Sequence, residues 1–326
     1  MKPNKITHKI FIIAAVAVVI ALAVFTYFRF SSPEQVQGQL VFNRTFDNGA
    51  KVNKILIDSV NGSIELNQKD GYWRIGNYDN YYADFTAVKQ FMDMLNSSIY
   101  VMEVPPAQDQ KDNVALQDPL KQKEFAGFLV RTYAGDKELD AVIIGLRASE
   151  KGYFFARRQD SDKVWVISWN NEIPSVAQDW LPSSIMDIPT SAVQSLSIDN
   201  RSLTRQVSMQ GFTDRFGAVI DINWLLYNLT SFAIDDIMSQ KEFAKKYPDT
   251  DIKKIYDITT FYGLVFEIIF YDTGNDEAWV SIKLLADTLP KAAVYDYIKD
   301  NSFLYEDWYF SVSARQKDFL LNYNLF

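Results

Sequence analysis

The chain has 326 residues and a net charge of −8, with 48% hydrophobic and 15% aromatic residues, no cysteine, and a single histidine at His8. That composition excludes a disordered chain, disulfides, thiolate metal sites, a lipid-modified cysteine and any imidazole chemistry beyond residue 8. After residue 30 there are 29 basic against 41 acidic groups, a net of about −12 with no Lys/Arg cluster, which excludes nucleic acid as an expected partner.

Residues 1–9, with Lys2, Lys5 and Lys9, form a basic cytoplasmic leader, and residues 10–28 (Ile10 to Phe28) are uncharged throughout. At about 1.5 Å per residue this stretch spans roughly 28 Å, the thickness of a bilayer core, and is predicted to be a transmembrane helix. The positive-inside bias places the N-terminus in the cytoplasm and residues 30–326 outside, a single-pass inner-membrane topology. Ala21-Leu22-Ala23 leaves a cleaved signal peptide as the alternative. Residues 29–51, polar through Ser31 to Gln39, are expected to be a tether, with structure beginning near Val52.

The remainder is predicted to be α+β: two tandem diverged modules, each an antiparallel meander sheet with a packed helix. In the first, residues 52–173, strands are predicted at Ile55–Ile57, Ile64–Leu66 and Tyr72–Ile75, divided by the turn signals Asn61-Gly62 and Asp70-Gly71. Asp84 is placed to cap a helix whose Val88, Phe91, Met92 and Leu95 share one face. Beyond a polar loop at Gln108 to Asn113, four more strands follow at Phe125–Tyr133, Leu139–Gly145, Tyr153–Arg157 and Val164–Ser168.

Residues 174–190, marked by Pro174, Pro182 and Pro189, are expected to be a linker. The second module, residues 191–326, is predicted to repeat the order with strands at Leu196–Asp199 and Arg205–Met209 and a helix through Ile222, Leu225, Leu226, Leu229 and Phe232. Setting Ile55 on Leu196, Asp84 on Asp221 and Phe125-x-Gly127 on Phe261-x-Gly263 gives offsets of 141, 137 and 136 residues. Tyr153-Phe154 on Tyr309-Phe310 needs 156, which an added helix within Leu289 to Leu304 accounts for.

Lys54–Ile57, Glu65-Leu66, Gly71-Tyr72-Trp73-Arg74-Ile75 and the helix-opening Ala83-Asp84, close behind one N-terminal span, resemble the bacterial domain-of-unknown-function family 4340. The strands Tyr153–Arg157 and Val164–Ile167 and the segment Trp180-Leu181 to Ile188-Pro189 are similar to its later parts, over about residues 50–200. The resemblance implies a membrane-tethered protein, sometimes encoded beside or fused to ABC-type transport components similar to a gliding-motility auxiliary protein. That family defines no catalytic residues to carry over, and the motifs of this sequence lead to no expected cofactor.

No Walker loop, no G-x-G-x-x-G and no Ser-x-x-Lys occurs, so carboxylates are the remaining catalytic candidates. Asp235-Asp236, Glu306-Asp307, Asp249-x-Asp251 and Asp272 to Glu277 are such candidates for glycoside hydrolysis or calcium, set against a reading as solvated turns and helix ends. Trp73, Tyr78, Tyr81 and Tyr82 form the densest aromatic cluster, a candidate binding surface set against core packing. Arg157-Arg158 is expected to be a solvated strand-edge pair. Three functions follow: an accessory subunit docking on another envelope protein or ABC-type transporter, a ligand-binding auxiliary with a cleft between the modules, or a carboxylate-dependent hydrolase.

Overall fold

The computed structural model describes residues 36–46, 51–186, 188–199, 201–208, 210–231, 234–274, 278–288 and 290–323. The predicted span at Ile10 to Phe28 lies outside them, and among the described residues no helix is long and apolar enough to cross a membrane. The architecture is mixed α+β, with two nine-stranded antiparallel sheets and several helices.

In the first sheet, β1 (Lys54–Ser59), β2 (Gly62–Lys69), β3 (Tyr72–Ile75) and β4 (Tyr81–Tyr82) form one meander. A second meander comprises β6 (Phe128–Ala134), β7 (Lys137–Arg147), β8 (Tyr153–Arg158) and β9 (Val164–Ser168). Pairing of β1 with β6 joins them, and β5 (Tyr100–Val104) closes the far edge on β9. The sheet is therefore two meanders with a crossover, because the chain leaves the β4 edge through α1 (Phe85–Ser97) and lands on the opposite edge. The Asp84 carboxylate accepts from the Ala87 amide at 2.7 Å, satisfying one of the free N–H groups of the helix start. Val88, Phe91, Met94 and Leu95 are buried, so Met94 takes the core place expected of the half-buried Met92.

The second sheet has the same order of strands: β10 (Val193–Ile198), β11 (Arg201–Thr204), β12 (Phe212–Thr213), β13 (Val219–Ile220), α2 (Asn223–Thr230), β14 (Asp236–Ser239), α3 (Gln240–Lys246), β15 (Asp251–Thr260), β16 (Leu264–Asp272) and β17 (Ala278–Ala286). It ends with α4 (Ala292–Asn301), β18 (Trp308–Val312) and α5 (Ala314–Asn322). The added helix expected within Leu289 to Leu304 is α4, inserted between β17 and β18, where β8 and β9 are joined by a turn.

The equivalent positions differ from those expected. By strand order β6 matches β15, so Phe125-x-Gly127 precedes a strand whose counterpart Phe261-x-Gly263 follows, and Tyr153-Phe154 of β8 corresponds to β17 rather than to Tyr309-Phe310 of β18. The two glycines also serve different needs. A Cβ on Gly127 would sit 2.6 Å from the Ala115 carbonyl oxygen, whereas Gly263 occupies a φ of +86° in the β15–β16 turn. The expected strand at Arg205–Met209 is instead β11, four residues earlier, and Met209 and Phe232 lie outside the described residues. Arg205 folds back to donate from Nε to the Val193 carbonyl at 2.7 Å.

Central strands are covered on both faces. Val142, Ile143 and Ile144 of β7 are fully buried, each contributing about 1.5–3 kcal/mol. One face packs Leu129, Ala141, Ile143 and Val164 against Leu116 of the preceding loop. That loop is bolted by Arg157, only 5% exposed, whose Nε donates to the Leu116 carbonyl at 2.8 Å and whose Nη1 reaches the carbonyls of Arg158, Gln159 and Ser161. Arg157-Arg158 is thus not an edge pair: β8 is flanked by β7 and β9, and the guanidinium satisfies buried backbone acceptors.

The expected tether and linker are both partly packed. Val41 and Phe42 are fully buried, and the short turn of helix Asn43–Phe46 is held by Asp140, whose Oδ2 accepts from the Thr45 amide at 2.8 Å and the Thr45 hydroxyl at 2.7 Å. Arg158 pairs with the other oxygen at 3.0 Å, so this buried carboxylate has a charge partner. In residues 174–190, Trp180, Leu181, Ile185 and Met186 are buried, Trp180 edge-on to Phe91 at 5.2 Å. Residues 40–326 consequently form one unit.

Two outcomes test this packing. A Cβ on Gly145 would meet the Val114 carbonyl oxygen at 2.1 Å, so Gly145→Ala is expected to cost about 3 kcal/mol by denaturant titration. Asp257 of β15 lies directly opposite Glu267 of β16, and burial, then that neighbour, raise its pKa. An acid with a raised folded-state pKa binds more protons folded than unfolded, so its contribution worsens as pH rises through the window above its ordinary value. Asp257→Asn should therefore stabilise by about 0.2–1 kcal/mol at pH 7, with the gain in melting temperature shrinking toward pH 4.

Candidate functional site

The four aromatic residues singled out from the sequence come from the β3–β4 hairpin, where Asp79 and Asn80, with φ of +50° and +65°, return the chain so that Tyr81 pairs with Ile75 and Tyr82 with Arg74. Tyr81 is 2% exposed. Its ring meets Trp308 at 4.9 Å and Phe310 at 5.8 Å, both edge-on from β18, and its hydroxyl donates to the Leu304 carbonyl at 3.3 Å. Burial drives its pKa upward, keeping the phenol neutral.

Tyr82, half-buried, packs on Phe303 at 4.6 Å and takes the Arg74 guanidinium over its face at 4.4 Å. Tyr72 adds a ring contact to Phe303 at 5.1 Å. Tyr78, also half-buried, has its pKa raised by burial and by the charges of Asp236 and Asp179. Trp73 contributes its carbonyl, which accepts from the Ala83 amide at 2.9 Å. The cluster is therefore the seam between the two sheets: Tyr81 and Tyr82 are 5.8 Å apart and engaged by the second sheet, with Tyr78 on its acidic flank. Across the same seam the Ser239 hydroxyl donates to Asp79 at 2.8 Å, and Gln178 donates to the Asp235 carbonyl.

The acid pairs sit in turns and strand ends. Asp236 Oδ1 accepts from the Ile237 amide at 2.9 Å, the Asp307 carbonyl accepts from Gln240 at 2.7 Å, and Asp249 and Asp251 are exposed. Asp272 accepts from the Gly274 amide at 3.0 Å and pairs with Lys317 at 3.5 Å, which together hold its carboxyl below the usual range; residues 275–277 of that turn lie outside the described residues. Among the described residues, no group of three or more acids and histidines is placed to hold a metal.

Two features escaped the sequence. A groove of about 290 Å³ runs beneath α4, lined chiefly by Tyr262, Leu264, Phe266, Lys291, Val294 and Tyr297. It forms because the Gly263 turn closes against Pro290, whose Cα would lie 2.7 Å from a Cβ there, and the Lys291 amide donates to the Tyr262 carbonyl at 3.0 Å. The added length before Leu304 was its only trace in the sequence. On α2, Trp224 and Tyr227 are each 57% exposed, with rings 5.8 Å apart and planes 20° from parallel. They lie three residues apart, away from the buried stripe Leu225, Leu226 and Leu229, and that spacing on the outer face is the signal that would have found them.

The seam predicts a graded response. Tyr81→Phe, which deletes only the hydroxyl, is expected to cost about 1 kcal/mol and Tyr81→Ala about 3–5 kcal/mol, and the alanine variant should split the denaturant unfolding curve into two transitions.

Comparison with known proteins locates the chain by sequence. The family model described as Domain of unknown function (DUF4340) matches residues 73–250, from within β3 to the residue before β15, more than half of the chain; it starts later than the resemblance over about 50–200, leaving out Lys54–Ile57 and Glu65-Leu66, and reaches farther into the second sheet. No curated protein and no solved structure matches. The chain therefore belongs to the DUF4340 family, a domain of unknown function.

Proposed function

We propose that this protein is a membrane-anchored, extracytoplasmic interaction protein, an accessory subunit of an envelope or ABC-type transport complex. The uncharged stretch Ile10 to Phe28 behind three lysines supports the anchor and the orientation. Two sheets of identical strand order, each with a helix on its crossover, support two diverged copies of one module that serve as a stiff support.

The observation that carries the docking role is the outward pair Trp224 and Tyr227, with Phe216 at 79% and Val219 at 74% exposure in the segment of chain that leads into α2. Exposed aromatic residues on the outer face of α2 match the composition of interface centres, where Trp and Tyr dominate binding energy. A photoreactive residue replacing Tyr227 in the full-length protein, in its native membrane, is expected to capture one recurring membrane-transport or envelope component. The same group at exposed Lys69 should not capture it, and Trp224→Ala should abolish the capture while costing only about 1 kcal/mol of stability, the worth of its ring contacts with Tyr227 and Phe319. Equal capture from both positions would remove this surface from consideration.

A second reading, a ligand-binding auxiliary, is favoured by the groove beneath α4. The site then lies within the second half of the chain, whereas the seam where a cleft was expected is occupied by Tyr81 and Tyr82.

A further inference from the structure

We propose that the groove beneath α4 binds a small carboxylate-bearing amphiphile, with its apolar body over Phe266, Val294 and Tyr297 and its carboxylate on the Lys291 ammonium. This assignment rests on the ligand-binding reading and is independent of the docking surface.

The walls set the body of the ligand. Phe266 is 1% exposed and Val294 4%, and Tyr262 and Tyr297 stand at 58% and 42%, so the groove has an apolar floor and aromatic sides open to solvent. Its 290 Å³ lies at the small end of ligand pockets, which run to about 300–1,000 Å³, and selects a short acyl chain or a single ring system. Thr260, the one aliphatic hydroxyl of the lining beside the phenols of Tyr262 and Tyr297, is committed: its Oγ1 donates to the Leu264 carbonyl at 3.2 Å and accepts from the Leu264 amide at 3.1 Å.

Charge sets the head. Lys291 is the one cationic residue lining the groove, in a chain with an excess of acids, and its ammonium lies 4.3 Å from the Tyr262 ring centroid. Among the described residues no carboxylate pairs with it. Its backbone is fixed on both sides, by the bond to the Tyr262 carbonyl and by the Val294 amide donating to its own carbonyl at 2.9 Å, and its side chain rests over the Tyr262 ring that lines the groove. A single ammonium balances a monoanion, whereas a phosphate monoester, near −2 at neutral pH, calls for further donors.

The test uses the full-length protein in lipid nanodiscs, titrated calorimetrically with octanoate, octanol and octyl phosphate, with empty discs subtracted. Octanoate is expected to bind about fivefold more tightly than octanol. Lys291→Met should erase that preference and leave octanol unchanged, and Ala293→Trp, at an exposed lining position, should abolish both. Equal binding of octanoate and octanol, or an unaltered preference in Lys291→Met, overturns the anionic class, and tighter binding of octyl phosphate overturns the carboxylate. Unchanged binding in Ala293→Trp overturns the location. Failure of all three probes to bind overturns the ligand-binding reading itself.

Discussion

The burial of Tyr81 between the two sheets is the contact on which the rest of the molecule turns. Its ring lies edge-on to Trp308 and Phe310, and its hydroxyl reaches the Leu304 carbonyl, so the last strand of the first meander is seated on the last strand of the second sheet. Two further contacts hold this arrangement. Trp180 of the proline-marked connection is buried against α1, and the Tyr305 hydroxyl donates to the Ile185 carbonyl at 3.0 Å. A connection with its apolar side chains inside the core cannot serve as a hinge, which is why residues 40–326 form one unit.

The same insertion that makes the second sheet unlike the first supplies both the seam and the groove. After α4 the chain runs through Ser302–Leu304 and Tyr305, whose Phe303 receives Tyr72 and Tyr82 and whose Leu304 receives Tyr81. Before that turn, Val294 and Tyr297 of α4 line the groove together with Phe266. One added element thus joins the sheets on one side and opens an apolar recess on the other. At the far end of the second sheet, buried Lys254 donates to the Leu321 carbonyl at 3.2 Å, placing a cation at the C-terminal end of α5 and securing the helix whose Phe319 braces Trp224 at 6.4 Å.

Much of the local structure was legible because it is dictated by residues close in sequence. Asn61-Gly62 and Asp70-Gly71 fix hairpins because Gly62, Asp70 and Gly71 all adopt positive φ, and Asp84 caps α1 through an amide three residues away. The edge strands β5 and β14 were not legible. Tyr100–Val104 is a strand because β9 pairs with it, and Asp236–Ser239 because β18 does, across separations no periodicity within five residues can encode. The Phe-x-Gly likeness misled for a related reason: Gly127 is required by a loop packing onto the sheet, Gly263 by its own turn, and the letters do not distinguish these needs.

The α+β class, most strand positions, the cap of α1, the added helix and the family were all readable along the chain, because turn signals, periodicity and composition act within a few residues. Tertiary structure alone decided that the aromatic cluster is a seam, that Arg157 is a buried bolt, that the connection after Pro174 is core, and that Lys291 stands over an apolar groove. Each of these depends on what lies opposite a side chain, which is set by packing between segments tens to hundreds of residues apart.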